Sequence, residues 1–186
     1  MSNILNVDLS RLHENPYRQL NTYPWIEGKI KTLMRSIEEM GMWEGIIARH
    51  HADDYQIAFG HHRLEAARRL GLKEVPIIVR ELSDQAMLKM MGRENGEDYS
   101  TDFLVMLNTW EGALKFGDDH LQKTQPIDCA RLLGWTDFSG AEPRERMTPV
   151  ALACASAHAL IEGGYIARDD LRGMSVDAAR QIVQRA

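Results

Sequence analysis

Residues Tyr55 to Gly71 set a strand, a glycine and a helix in immediate succession. Tyr55, Ile57 and Phe59 alternate with Gln56 and Ala58, as in a strand with two distinct faces. Gly60 follows, and His61, His62 and Arg63 open a helix that ends at Gly71. A strand that turns on glycine directly into a helix delivers free backbone N–H groups and the positive end of the helix dipole to one point. That point suits an anion.

The charge order sharpens this reading. Helices favour acidic residues in the first turn, yet this one opens on two histidines and an arginine, with Glu65 arriving later. A bound phosphate would remove the conflict. Arg63 can grip it with a planar fork, His61 and His62 can donate or accept protons, and Ala66 and Ala67 are small enough to let the helix lie close on a sheet. The same residues would also serve an exposed helix start whose histidines bond locally, and a lone Gly-x-x-Arg is a weak signature.

A chain of 186 residues can bury a good core as one domain, or as one plus a smaller one. The formal charge is −5, and neither half carries a basic excess. Bulk composition therefore excludes a basic nucleic-acid binder, and any DNA contact must come from a local, salt-sensitive patch. Cys129 and Cys154 lie far apart in apolar helical contexts, where a cysteine is a small buried hydrophobe. With no secretory signal and no apolar run long enough to span a membrane, the chain reads as cytoplasmic.

Taken in order, Ile4, Val7, Leu9 and Leu12 alternate enough for an edge strand that Asn15 and Pro16 break. Tyr17 to Trp25 reads as a loop, with Arg18 as its positive charge. Glu27 to Met40 has helical spacing (Ile30, Leu33, Met34, Ile37, Met40), stopped by Gly41. Glu44 to Arg49 predicts a short strand, and His50 to Asp54 a polar turn whose two histidines are solvated. Val75 to Arg80 is a buried strand with Pro76 at its beginning. Ser83 caps a helix that runs out at Glu94, Asn95 and Gly96. A carboxylate and an amide at a helix end could hold a hydrated cation such as Mg2+ beside a phosphate.

Asn15-Pro16, the helix ending at Gly41, Gly60-x-x-Arg63-x-x-Ala66-Ala67, Val75-Pro76-Ile77-Ile78-Val79 and Glu94-Asn95 occur in an order that resembles the N-terminal domain of the ParB family. That fold is shared with sulfiredoxin, a free-serine kinase and ParB-like nucleases. The resemblance covers about residues 1 to 100. It implies an α/β (α+β) fold, a mixed-sheet ParB-like domain over 1–98 followed by a helical domain over 99–186. It further implies a site for CTP or a related nucleotide, with Gly60, Arg63 and Ala66 at the phosphates, Asn95 beside them, Glu94 as the catalytic residue, and Glu94 and Asn95 near Mg2+; on their own chemistry His61, His62 and Arg18 join the phosphate contacts. The chain departs from the family where His62, Glu65 and Asp98 replace basic residues, which weakens triphosphate binding unless the histidines charge. His61 also stands where sulfiredoxin carries its cysteine, which argues against that reaction.

The second half reads as helical. Phe103, Met106, Leu107, Trp110 and Leu114 share one face over Thr101 to Phe116. Pro126 to Leu133, stopped by Gly134, resembles the first helix of a helix-turn-helix. The polar segment Trp135 to Met147 is longer than the three or four residues such a turn needs. The helix after it, Val150 to Glu162, is too apolar to read bases. Ser175 caps a last helix, Val176 to Arg185.

Three functions follow from this reading. The first is a nucleotide-dependent, DNA-associated partition or regulatory protein, expected as a homodimer without membrane association. The second is an enzyme of the same fold, a CTPase-like triphosphatase, nuclease or small-molecule phosphotransferase. The third is a binding module that has lost nucleotide chemistry, which the three charge departures favour.

Overall fold

The computed structural model describes residues 3–18, 25–43, 45–99, 102–121, 124–138 and 144–185. It divides into two compact units, Met1–Met87 and Leu88–Ala186. The division falls inside a helix rather than after residue 98.

In the first unit the strands are β1 (Asn3–Asp8), β2 (Leu12–His13), β3 (Ile47–His51), β4 (Asp54–Phe59) and β5 (Glu74–Val79). They form one mixed sheet in the order β1-β5-β3-β4-β2. β1 pairs antiparallel with β5 and β3 antiparallel with β4, whereas β3–β5 and β2–β4 are parallel. β1 is an edge strand, as the alternation at its start suggested. Pro76 lies opposite Asn6 of β1, and the parallel pairing with β3 begins only at Ile78. A residue without an N–H is thereby kept out of a two-sided ladder.

Helices α1 (Glu27–Met40) and α2 (His61–Arg69) accompany the sheet. The 3-and-4 spacing in α1 buries Ile30 and Ile37 with Ala66 of α2, while Gly41 at φ +79° ends the helix. Burial of each isoleucine contributes about 1.5–3 kcal/mol at most. Leu64 and Ala67 of α2 face the other way, into a core with Val7, Ile57, Val75 and Ile77. Small residues on both sides of α2 thus let it pack against a helix and a sheet at once.

One expectation needs correcting here. His50 and His51 belong to β3 rather than to a turn, although both are exposed as anticipated. Ala58, on the face of β4 opposite Ile57, is fully buried. Most of the loop expected between Tyr17 and Trp25, residues 19–24, lies outside the described residues.

The second unit holds most of α3 (Asp84–Asp98), then α4 (Phe103–Leu121), α5 (Pro126–Leu133), α6 (Pro149–Glu162) and α7 (Val176–Val183). Ser83, Thr148 and Ser175 cap α3, α6 and α7 by accepting the N–H of Ala86, Ala151 and Ala178. Phe103, Met106, Leu107 and Trp110 are buried, as their shared face required. Gly92 of α3 lies so close to α5 that a Cβ there would sit 2.8 Å from Leu133 Cδ2 and 3.0 Å from its carbonyl oxygen. Trp135 Nε1 donates to the Gly92 carbonyl across the same contact, at 3.1 Å.

The polar segment before α6 is an antiparallel ribbon, β6 (Thr136–Asp137) with β7 (Arg146–Met147), joined by residues of which 139–143 lie outside those described. α5 and α6 are therefore separated by a β-ribbon, which replaces the short turn of a helix-turn-helix. Among the described residues no helix is long and apolar enough to cross a membrane.

Candidate functional site

Gly60 turns β4 into α2 at φ +97°, a conformation that side chains disfavour. A Cβ there would lie 2.7 Å from the Gly45 carbonyl oxygen, so the turn and the loop before β3 touch backbone to backbone. Leu64 N–H donates to the Gly60 carbonyl at 3.0 Å, the first intrahelical bond of α2. The first turn holds no acidic residue, and no side chain caps it. The helix start is thus built as the sequence anticipated, with the dipole uncompensated from within.

The two histidines are engaged with backbone donors of other segments. Both are almost fully buried, at 1% and 2% exposure. His61 Nε2 accepts the N–H of Asn15 and His62 Nε2 accepts the N–H of Ile26, each at 3.4 Å. A ring nitrogen that accepts carries no proton of its own, so these nitrogens fasten two other segments to the start of α2.

Asn15 organises the first of those segments. Its Oδ1 accepts Tyr17 N–H at 3.1 Å, its carbonyl accepts Arg18 N–H at 2.9 Å, and its Nδ2 donates to the Met87 carbonyl at 3.0 Å. This turn buries Arg18, whose guanidinium stands 5.0 Å from the Trp25 ring centre. Trp25 in turn meets His62 edge-on, with centroids 5.5 Å apart. Arg18, Trp25 and His62 therefore form one cluster beside the helix start.

Arg63 stands differently. Among the described residues it makes no hydrogen bond or ion pair, and its Nε is buried without a partner. The guanidinium lies over Gly45, where a Cβ would come 2.8 Å from Cζ, and 5.9 Å from the Trp43 ring centre. Glu65, two residues on, is turned away and bonds Arg69 at 2.8 Å, while Arg69 also grips Glu27 of α1 at 2.7 and 2.9 Å. A guanidinium without a partner among the described residues, at a helix start whose N-cap is a glycine, is an arrangement that suits an oxyanion.

Ala66 is fully buried, and its side chain packs with Ile30 and Ile37 in the α1–α2 contact. Glu94 and Asn95 belong to the second unit. They do not end α3, which continues through Gly96 to Asp98. An Asn-Gly pair stops a helix only where the following backbone turns left-handed, and here it does not. Both side chains are buried, and Asn95 Nδ2 donates to Thr109 Oγ1 of α4 at 2.9 Å. The Asn95 carbonyl oxygen and the Glu94 carboxylate are hard donors of the kind Mg2+ takes.

Sequence reasoning passed over Trp25, Trp43 and Gly45 as parts of this site. The signal was faint: two tryptophans flanking α1, and a glycine just before an apolar strand.

Residues 1–96 match the family described as ParB N-terminal domain. The chain belongs to this family. Among curated relatives, the chromosome-partitioning protein ParB of Caulobacter vibrioides is 41% identical over 87 residues, covering 45% of this chain and 28% of that protein. The putative replication protein B of Rhizobium rhizogenes is 40% identical over 82 residues, covering 42% of this chain and 26% of that protein. The matched region thus spans little more than a quarter of these relatives' length. The C-terminally truncated ParB of Caulobacter crescentus, solved in complex with the centromeric parS site, aligns with a TM-score of 0.49 and 21% identity over 98% of this chain and 100% of that one. The ParB-family match falls on the unit that carries the Gly60–Arg63 turn.

Proposed function

We propose that the protein is a ParB-like nucleotide-binding protein in which Arg63 and the start of α2 receive the phosphates. The single observation that carries this reading is Arg63, unpaired among the described residues at a helix start with neither acidic residue nor side-chain cap. CTP is the nucleotide that the family resemblance nominates. Arg18, held against Trp25, supplies a buried positive charge in the same unit. Gly60 lets the helix start close against the backbone of Gly45, while His61 and His62 set the walls rather than grip the ligand. Glu94 and Asn95, in the second unit, carry the hard oxygen donors that would hold Mg2+, and Glu94 is the residue on which any hydrolysis would depend.

The names of the relatives support a role in chromosome or plasmid partition. Association with DNA through a local patch of the helical unit, a homodimeric state and a cytoplasmic location complete the proposal. A module that keeps the fold without nucleotide chemistry is the competing reading. It is favoured by His61 and His62, whose Nε2 atoms are engaged with backbone donors.

Calorimetric titration with CTP, ATP, GTP and UTP in Mg2+, repeated on Arg63→Ala, decides between them. Saturable binding that weakens by about tenfold or more in the variant is the expected result. Failure of the folded wild-type protein to bind any of the four would select the module without nucleotide chemistry.

A further inference from the structure

Trp43 is 56% exposed, an uncommon position for a tryptophan. It precedes β3 in the loop that also carries Gly45. Its ring centre stands 5.9 Å from the Arg63 guanidinium carbon. The loop is held against the Gly60 turn by the backbone contact described above, so the ring and the cation belong to one locally fixed arrangement.

We infer that Trp43 is the stacking platform for the base of the nucleotide whose phosphates Arg63 receives. The inference rests on the phosphate reading of Arg63. A nucleoside phosphate carries an anion and a flat aromatic ring on one small molecule, and Trp43 and the helix start present an exposed indole and a guanidinium without a hydrogen-bond or ion-pair partner among the described residues side by side. The guanidinium next to the indole is itself favourable to a stacked base, since cation, indole and base attract one another through their faces. Stacking is tolerant of base identity because every base has a π-face. Trp43 therefore supplies affinity, while discrimination among bases falls to other groups.

The test compares wild-type protein, Trp43→Ala and Trp43→Phe in titrations with a nucleoside triphosphate and with inorganic tripolyphosphate, which has phosphates and no base. Trp43→Ala should weaken nucleoside triphosphate binding roughly 5- to 150-fold, the loss of one base–aromatic stack. Tripolyphosphate binding should stay within twofold of wild type, and Trp43→Phe should restore most of the loss. Equal nucleotide affinity in wild type and Trp43→Ala would overturn the platform while leaving the phosphate site standing. A parallel loss of tripolyphosphate in Trp43→Ala would overturn it too, by showing that the indole only positions Arg63. If wild type binds neither ligand, the phosphate reading fails and the platform fails with it.

Discussion

The Arg63 guanidinium occupies the space that a side chain at Gly45 would fill. Neither residue is placed by its own neighbours in sequence alone: Arg63 comes from the first turn of α2 and Gly45 from the loop before β3. A missing Cβ in one element thus defines where the charge of another comes to rest.

Alanine at the two glycines should separate stability from ligand binding. At Gly45, φ is +146° and the obstacle is the movable end of Arg63. Gly45→Ala is expected to cost about 1–2 kcal/mol of stability and to weaken nucleotide binding about as much as Arg63→Ala. At Gly60 the obstacle is backbone, so Gly60→Ala should cost more, about 2–4 kcal/mol. Denaturant unfolding of both variants checks the order; a Gly60→Ala protein as stable as Gly45→Ala would refute it.

The histidine tethers predict localised losses of protection. His61→Ala leaves the Asn15 N–H without its acceptor and His62→Ala does the same to Ile26, each at a cost of about 1–3 kcal/mol. Amide hydrogen exchange should accelerate at Asn15 in the first variant and at Ile26 in the second. Unchanged exchange at both would mean that the imidazoles do not hold these segments.

Acid should weaken the first unit through Asp54. Hydrogen bonds from His13 at 2.9 Å and Arg11 at 3.1 Å hold its carboxyl below the ordinary carboxylate value of 3.8. A carboxylate whose pKa is lower in the folded than in the unfolded chain adds stability above the unfolded value, and that share disappears as pH falls through the folded value. The melting temperature should therefore drop below about pH 4. Asp54→Asn should show a shallower drop, and an identical acid limb in the variant would exclude Asp54 as a contributor.

In the helical unit, Arg168 grips Glu111 of α4 with both terminal nitrogens, at 2.7 and 2.8 Å, and also bonds Asn108. The pair is partly exposed, so solvent screening limits it to about 1 kcal/mol. Arg168→Lys keeps the charge but loses the fork, and should destabilise nearly as much as Arg168→Ala. Full rescue by lysine, read from thermal unfolding, would show that charge alone matters.

Cys129 and Cys154 are buried, and burial raises both thiols well above their ordinary value. Neither should react with a thiol-specific disulfide reagent at pH 8 until denaturant is added. Rapid labelling of native protein would contradict the packing of α5 and α6.

What the sequence disclosed follows from the range of the interactions involved. The Gly60 turn, α1 with its Gly41 stop and the Ser83, Thr148 and Ser175 caps were legible because each depends on residues within a turn or two. The ribbon between α5 and α6 was not, since Thr136 pairs with Met147 across a long connection with no short turn signal. Glu94-Asn95-Gly96 misled for a tertiary reason: Asn95 bonds Thr109 and Gly92 packs on Leu133, so contacts to α4 and α5 carry α3 past its local stop. At the candidate site, Arg63 could be named from its place in the helix. The role of His61 and His62 as acceptors could not, because their donors lie 46 and 36 residues away.

Those same separations bear on the order in which the molecule comes together. Each tether closes a long loop, and the entropy of closing it is repaid only after the sheet has brought its ends near. The Gly60–Arg63 turn can form early as a local nucleus, but its walls cannot. An excised peptide spanning Tyr55 to Gly71 would retain the Gly-x-x-Arg spelling and lack the enclosure around it. The proposed anion site would thus belong to the finished topology rather than to the local spelling.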